Sequence, residues 1–385
     1  MLYAYPYLLL MLAYGMLAVL AHAFKGQSVR TMYVEALALA LYVFFFGFRG
    51  YVLYDWSSYY REFSVLPSFG TLFTMPLKKW AFEPGFTIFC VALKSIYANY
   101  FFMQFTCAII NMVLLARFFR RYTDNMPLAF VMYLTMGGFV LSIDLMRNSI
   151  SIFLFINAIE LIVKKRLLPF VAVCAFAGMF HSSAWAYIPL YFVINRSYNR
   201  NLLLAIFVVA NAIYVLHIPV LKSVIMLFVG ILAPSARQYI DYYLTMDATT
   251  GSVLSIGYLE RLLTGVLMFC YYNKLKDMRP GNNVFVNSLF IYLVLFLGLS
   301  EFKTISSRVA NLFVYGYWIV WMDFLKCFYY RNNRYLFIGF LSIYCMLKTF
   351  SGYKFALSQY NNILIHVEDY DDRYLYFLRH YNEVK

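Results

Sequence analysis

Charge is what this sequence has least of. Only 13% of its 385 residues are Asp, Glu, Lys or Arg, against 63% hydrophobic residues, and the mean hydropathy is +0.67. That balance excludes a water-soluble domain, because the apolar surplus has to face lipid. Acids are scarcer than bases, leaving a formal charge of +14. The basic residues are scattered between apolar runs, so the excess does not point to nucleic acid. Close cysteine pairs are missing too. Cys90, Cys107, Cys174, Cys270, Cys327 and Cys345 lie singly in or beside apolar runs, which argues against a disulfide framework or a thiolate metal site. No Walker A loop, HExxH or dinucleotide glycine fingerprint occurs, and no strong internal repeat like those of many secondary transporters is visible. ATP-driven transport and zinc proteolysis are unsupported, and no metal or cofactor is expected.

What is there instead is long apolar runs. Segments such as Leu202–His217 and Val284–Leu299 are long and mostly apolar, not alternating, so their backbone groups are satisfied in helices and not in a barrel. The first run has no Lys or Arg before it, unlike a cleaved signal peptide, and residues 2–24 are expected as a retained span. Six connections hold half of the 32 basic residues: Lys25/Arg30, Arg117/Arg120/Arg121, Lys164/Lys165/Arg166, Arg196/Arg200, Lys274/Lys276/Arg279 and Lys326/Arg331/Arg334. Short basic connections stay cytoplasmic. Threading all six inside places spans near 2–24, 31–48, 100–119, 127–143, 148–163, 167–180, 184–195, 201–217, 257–273, 284–300, 309–325 and 335–350, about twelve helices with both termini outside. Residues 84–98 cannot cross without inverting everything after them, so they are expected to re-enter or lie in the interface; 219–233 are similar. The expected architecture is an all-α polytopic membrane protein. A single transmembrane domain covers 1–350, with extracytoplasmic loops at 49–99 and 218–256, and 351–385 form an extracytoplasmic amphipathic tail.

This threading sends costly polar groups to the outer side, where ionisable residues at membrane depth usually face a cavity. YVLYDWSSYYREF (51–63) sets Asp55 among aromatics such as Tyr59, which stack on sugar faces but also form ordinary interfacial belts. In FEPGF (82–86), Glu83 either caps the helix that follows or enters the cavity as a base. In SIDLMRNSISIFLF (142–155), Asp144 and Arg147 are three apart and share a helical face. They form either a local ion pair or a site where the guanidinium fork takes phosphate oxygens. Arg308, in EFKTISSRVANLF (301–313), opens another span. It completes a diphosphate clamp with Arg147 unless both snorkel to lipid phosphates. Arg49 and Arg237 are reserves, and the loop holding Arg237 is the lid candidate. AFAGMFHSSAWAYIPL (175–190) places His181, Ser182 and Ser183 inside an apolar hairpin. That is either a polar turn between buried helices or the lining of a cleft. The acidic run Glu368–Asp372 lacks calcium-loop spacing.

At these residues the chain resembles the EpsG family of Wzy-like polysaccharide polymerases. The matching pieces are Asp55 with its following tyrosines, EPGF at 83–86, LMRNSISIFLF at 145–155, and the KKR…AGMFHSSAWAYIPL run from 164 to 190. They cover roughly the first half of the chain; the second half matches in hydropathy and around Arg308. The resemblance implies a GT-C-like, inverting glycosyltransferase of the bacterial inner membrane with its active site facing outside. Such an enzyme joins undecaprenyl-diphosphate-linked oligosaccharide repeat units, donor and acceptor both lipid-linked, into surface polysaccharide. A flippase and a chain-length regulator are its expected partners. In that chemistry Asp55, Glu83 and His181 are candidate bases. Arg147, Arg308, Arg49 and Arg237, with Asp144, Ser182 and Tyr59, are candidate substrate ligands, and arginine neutralises the diphosphate without a metal. An O-antigen ligase-like transferase, a lipid-linked oligosaccharide flippase and a membrane acyltransferase are the alternatives.

Overall fold

The computed structural model describes residues 2–67, 69–72, 80–223, 225–226, 241 and 254–381, and within them it is helical, without strands. The chain divides into two compact units, residues 1–191 with 330–385, and residues 192–329.

Among the described residues, six helices are long and apolar enough to cross a membrane, and all belong to the first unit: Leu2–Ala23, Ser28–Gly47, Tyr100–Tyr122, Met126–Ile143, Met146–Val163 and Arg331–Gly352. An 18-residue helix such as Met146–Val163 is about 27 Å long, close to a hydrocarbon core. With lipid outside, apolar contact alone gives little drive for helices to associate, so polar contacts between them matter. Tyr14 donates to the Ala38 carbonyl at 2.8 Å, Tyr42 and Tyr133 both meet the Ser142 hydroxyl at 2.8 and 2.6 Å, and Asn111 donates to Ser149 at 3.0 Å. Met126–Ile143 is broken at Met136 and Gly137, where Gly137 takes φ +89°, a conformation that costs glycine nothing sterically.

The basic turns gather at one end of this unit. Lys25 pairs with Asp124 at 4.0 Å, Arg120 with Glu35 at 2.9 Å, and Arg121 and Lys164 both with Glu160 at 2.5 Å. Tyr100–Tyr122 and Met146–Val163 run from the opposite end to this one. That opposite end carries Tyr100, Met146 and Arg147, together with the helices Trp56–Val65, Pro84–Ile96 and Tyr370–His380. One apolar cluster there joins Tyr51, Trp56, Tyr59, Phe86, Cys90, Tyr100, Met146, Phe180, Leu357 and Phe377.

The second unit is built from Arg200–Val215, Ile256–Cys270, Tyr272–Lys276, Asn283–Gly298, Lys303–Asn311 and Tyr315–Cys327. Its polar ties are internal. Asp323 pairs with Arg279 and accepts from Asn282 at 3.3 Å, and Asn287 donates to the Ile194 and Arg196 carbonyls at 2.7 and 2.8 Å.

Two expected spans take other forms. The hairpin arm expected at 184–195 is not an α-helix: Leu167–Gly178 ends and the chain continues in 3₁₀ turns, Ser182–Tyr187 and Pro189–Phe192. His181 leaves the helical region at φ −155°, which ends the preceding helix, and Pro189, which supplies no N–H, cannot donate to a ladder formed after it. The span expected at 309–325 is divided into Lys303–Asn311 and Tyr315–Cys327. The segment expected to re-enter, 84–98, forms the 13-residue helix Pro84–Ile96. Most of 219–233 lies outside the described residues.

Candidate functional site

Four motifs distant in sequence meet at the end of the first unit opposite its basic turns. Their join starts with glycine. Gly85 and Phe86 donate their backbone N–H groups to the Met179 carbonyl at 2.9 and 3.2 Å. A Cβ on Gly85 would lie 2.6 Å from the Met179 Cβ and 2.9 Å from its carbonyl oxygen. EPGF therefore docks backbone to backbone on AGMFHSS, with Pro84 opening the helix in the one turn that needs no N–H.

Glu83 sits at the N-cap of that helix, yet its carboxylate makes no capping bond. It pairs with Arg147 and accepts the Ser182 N–H at 3.2 Å. Burial pushes the Glu83 carboxyl up, but hydrogen bonding by its own backbone and by Ser182, with the charges of Arg147 and His181, outweighs it and holds the group below the usual range. Arg147 also reaches the Tyr59 hydroxyl at 3.4 Å, and its guanidinium lies 4.8 Å from the Phe82 ring centroid and 5.8 Å from that of Tyr59. Cation–π contacts of this kind are worth about 0.5–2 kcal/mol, more as water is removed. A quarter of the Arg147 side chain stays accessible, enough for a ligand oxygen to reach it. The arginine partner expected for Asp144 is thus Glu83's instead. Leu145 caps the helix that Arg147 opens, which leaves Asp144 outside it.

His181 begins the 3₁₀ turn as its cap. Its Nδ1 accepts the Ser183 backbone N–H at 3.3 Å and lies 2.7 Å from the Ser183 hydroxyl, which donates to Asn148 Oδ1 at 3.1 Å.

Asp55 is the N-cap of Trp56–Val65, without a side-chain capping bond. It lies one turn before Tyr59, whose hydroxyl is pushed up to about 12 by burial, with Arg147 pulling it down and Asp55 pushing it up. The Asp55 and Arg147 charges thus act on Tyr59 in opposite directions. Asp144 is buried and accepts the Tyr54 and Asp55 backbone N–H groups on one oxygen at 3.0 and 3.1 Å. Arg49 is 2% exposed and committed to the Phe46 and Ile143 carbonyls, with its own carbonyl taking a bond from Gln104. Arg308 lies exposed on Lys303–Asn311 in the second unit, and Arg237 lies outside the described residues.

The structure thus brings together Asp55, Tyr59, Glu83, Arg147, His181 and Ser182, with Asp144 behind them. The sequence reading missed Phe82 and Asn148, immediate neighbours of the residues it singled out. It also missed Arg373 in the tail helix, which is buried and donates to the Tyr51 and Gln359 carbonyls at 3.0 and 2.9 Å. Among the described residues, no group of three or more His, Cys, Asp or Glu side chains is placed to hold a metal ion.

No curated protein and no solved structure matches the chain. The sequence profile of the EpsG family does, over residues 32–364, a range that contains every one of these converging residues except those of the tail helix; the chain belongs to the EpsG family.

Proposed function

We propose that this chain is a polysaccharide polymerase. It transfers a glycan from a polyprenyl diphosphate to a sugar hydroxyl of a second lipid-linked repeat unit, at the outer face of the bacterial inner membrane. The observation that carries the reading is the Glu83–Arg147–Ser182 junction, an accessible guanidinium braced by a carboxylate and ringed by Tyr59 and Phe82. Family membership supports the polymer chemistry. The basic turns at the other end of the same helices support an outward-facing site, because short basic connections stay inside.

In the proposed reaction the acceptor oxygen attacks the anomeric carbon from the face opposite the diphosphate. The acceptor O–H proton passes to the base, the new C–O bond forms, and the bond from carbon to phosphate oxygen breaks with its electrons leaving on the diphosphate. Arg147 holds a diphosphate oxygen and neutralises the developing charge. His181, held beside Ser182 and Ser183, donates a ring N–H to the same leaving group. Glu83 is locked in an ion pair and held acidic, so it braces Arg147 and is a poor base. Asp55 is left as the base. Ser182, through its N–H, keeps Glu83 oriented, and Tyr59 carries a sugar ring or the head group. Arg308 keeps the role its sequence position suggests, a further head-group arginine.

The test is purified protein with an undecaprenyl-diphosphate-linked oligosaccharide extracted from a host lacking this chain, with and without chelator. Ladder formation that Asp55→Asn and Arg147→Ala each abolish is expected, unchanged by chelator. Full elongation by Asp55→Asn rejects the base, and loss with chelator rejects metal independence. In a deletion strain, single-unit glycan is expected at the surface. Unattached long chains would identify a ligase, and loss of all surface glycan a flippase.

A further inference from the structure

Asp144 is a buried acid that the proposed chemistry leaves without a task. It lies in the turn between the spans Met126–Ile143 and Met146–Val163, is 6% exposed, and directs one oxygen at two consecutive backbone N–H groups, those of Tyr54 and Asp55. The chain enters this turn through Leu53, a non-glycine residue at φ +65°, 2% exposed, whose own N–H donates to the Leu357 carbonyl at 3.0 Å. A left-handed leucine persists only where its surroundings over-determine the backbone, and such positions cluster at functional sites. Here the fixed object is the Asp55 backbone at the start of Trp56–Val65.

We propose that Asp144 is a positioning residue for Asp55: its buried oxygen accepts two consecutive N–H groups, fixes the Leu53–Trp56 turn and so sets the direction in which Asp55 meets the acceptor. The inference rests on the reading of Asp55 as the base. Burial, followed by the Asp55 charge, pushes Asp144 itself up to about 7, and a carboxyl oxygen accepts both N–H groups whether or not the group holds its proton. The other groups facing it are Arg49 at the end of the second span, Tyr54 in the turn, Tyr7 on the first helix and Tyr353 after the last span. Only Arg49 is a cation, and it is held by two carbonyls.

Asparagine can present the same oxygen to both N–H groups and leucine cannot, so Asp144→Asn and Asp144→Leu together isolate the acceptor oxygen. In the elongation assay with the extracted lipid-linked oligosaccharide, Asp144→Leu is expected to lower kcat about tenfold with KM unchanged, and Asp144→Asn to restore kcat to within about twofold of the unaltered chain. Asp144→Glu displaces the oxygen. It is expected to lower kcat as the leucine variant does, and it decides the question should the leucine variant fail to fold. Full kcat in Asp144→Leu, a loss confined to KM, or a loss in Asp144→Asn as large as that in Asp144→Leu would overturn the proposal. Asp55→Asn separates the two readings. If it is fully active, the base assignment falls and this inference with it. If it is inactive while Asp144→Leu keeps full kcat, only the inference falls.

Discussion

The two units of this chain solve different problems with the same residue types. In the first, an arginine and a carboxylate meet at the accessible end of the helices: Arg147 keeps a quarter of its side chain exposed and Glu83 a fifth. In the second, Arg279 and Asp323 also pair, but the Asp323 side chain is 2% exposed and is further bonded by Asn282. A pair whose carboxylate is buried and bonded again from within serves packing, whereas a pair accessible on both sides and braced from behind can exchange a water for a phosphate oxygen. The first unit also holds all six of the described membrane-length helices, so its polar end sits on a long, laterally supported frame. An ion pair inside an apolar chain becomes informative only once its accessibility is known.

The largest expected effect follows from the accessible pair. Arg147→Ala should reduce polymer formation by about 100-fold or more, the scale of losing a preorganised charge at a developing anion, as read by ladder length on a gel. If Arg308→Ala, in the second unit, matched that loss, the division of labour would fail; a few-fold rise in KM with kcat retained is expected there. Gly85→Ala comes next. Its Cβ would press on Met179, and overpacking of this kind costs about 1–3 kcal/mol, so a lower Tm and a displaced His181 turn with about tenfold less activity are expected. Asp323→Ala removes the buried partner of Arg279 and should lower the Tm while the folded fraction turns over normally, which active-site titration of purified protein can check. The smallest effect is on pH dependence. Asp144 is raised from 3.8 to about 7, so the stability its proton contributes is complete below about pH 4 and is lost as pH rises through 7. The Tm of Asp144→Asn should gain on that of the unaltered chain between about pH 5 and 8, and parallel curves would contradict the burial argument.

Much of this was legible in the residues, for physical reasons that differ by case. Apolar run length is a one-dimensional property, so spans such as Tyr100–Tyr122 and Met146–Val163 could be read directly. Glu83 and Arg147 could be singled out because charge is costly in such a sequence, but their pairing is a contact across 64 positions and no periodicity encodes it. The Asp144–Arg147 spacing suggested a shared helical face, and only the cap at Leu145 removes Asp144 from the helix. The arm after His181 looked like a span because its composition is apolar; backbone geometry at His181 and Pro189 decided otherwise. Arg49 looked available at a span end and is instead consumed by local carbonyls. Arg373 was invisible because an acidic, tyrosine-rich tail reads as solvated surface until its partner at Tyr51 is known.

The tail helix Tyr370–His380 lies beyond the family match, which ends at 364. It reaches the shared core through Tyr51, Trp56 and Tyr60, stacking Tyr370 on Tyr60 at 4.1 Å. The chain's end thereby clamps the start of the Trp56–Val65 helix from the far side, and cutting this eleven-residue helix away would loosen that helix while leaving the Glu83–Arg147 pair its own contacts.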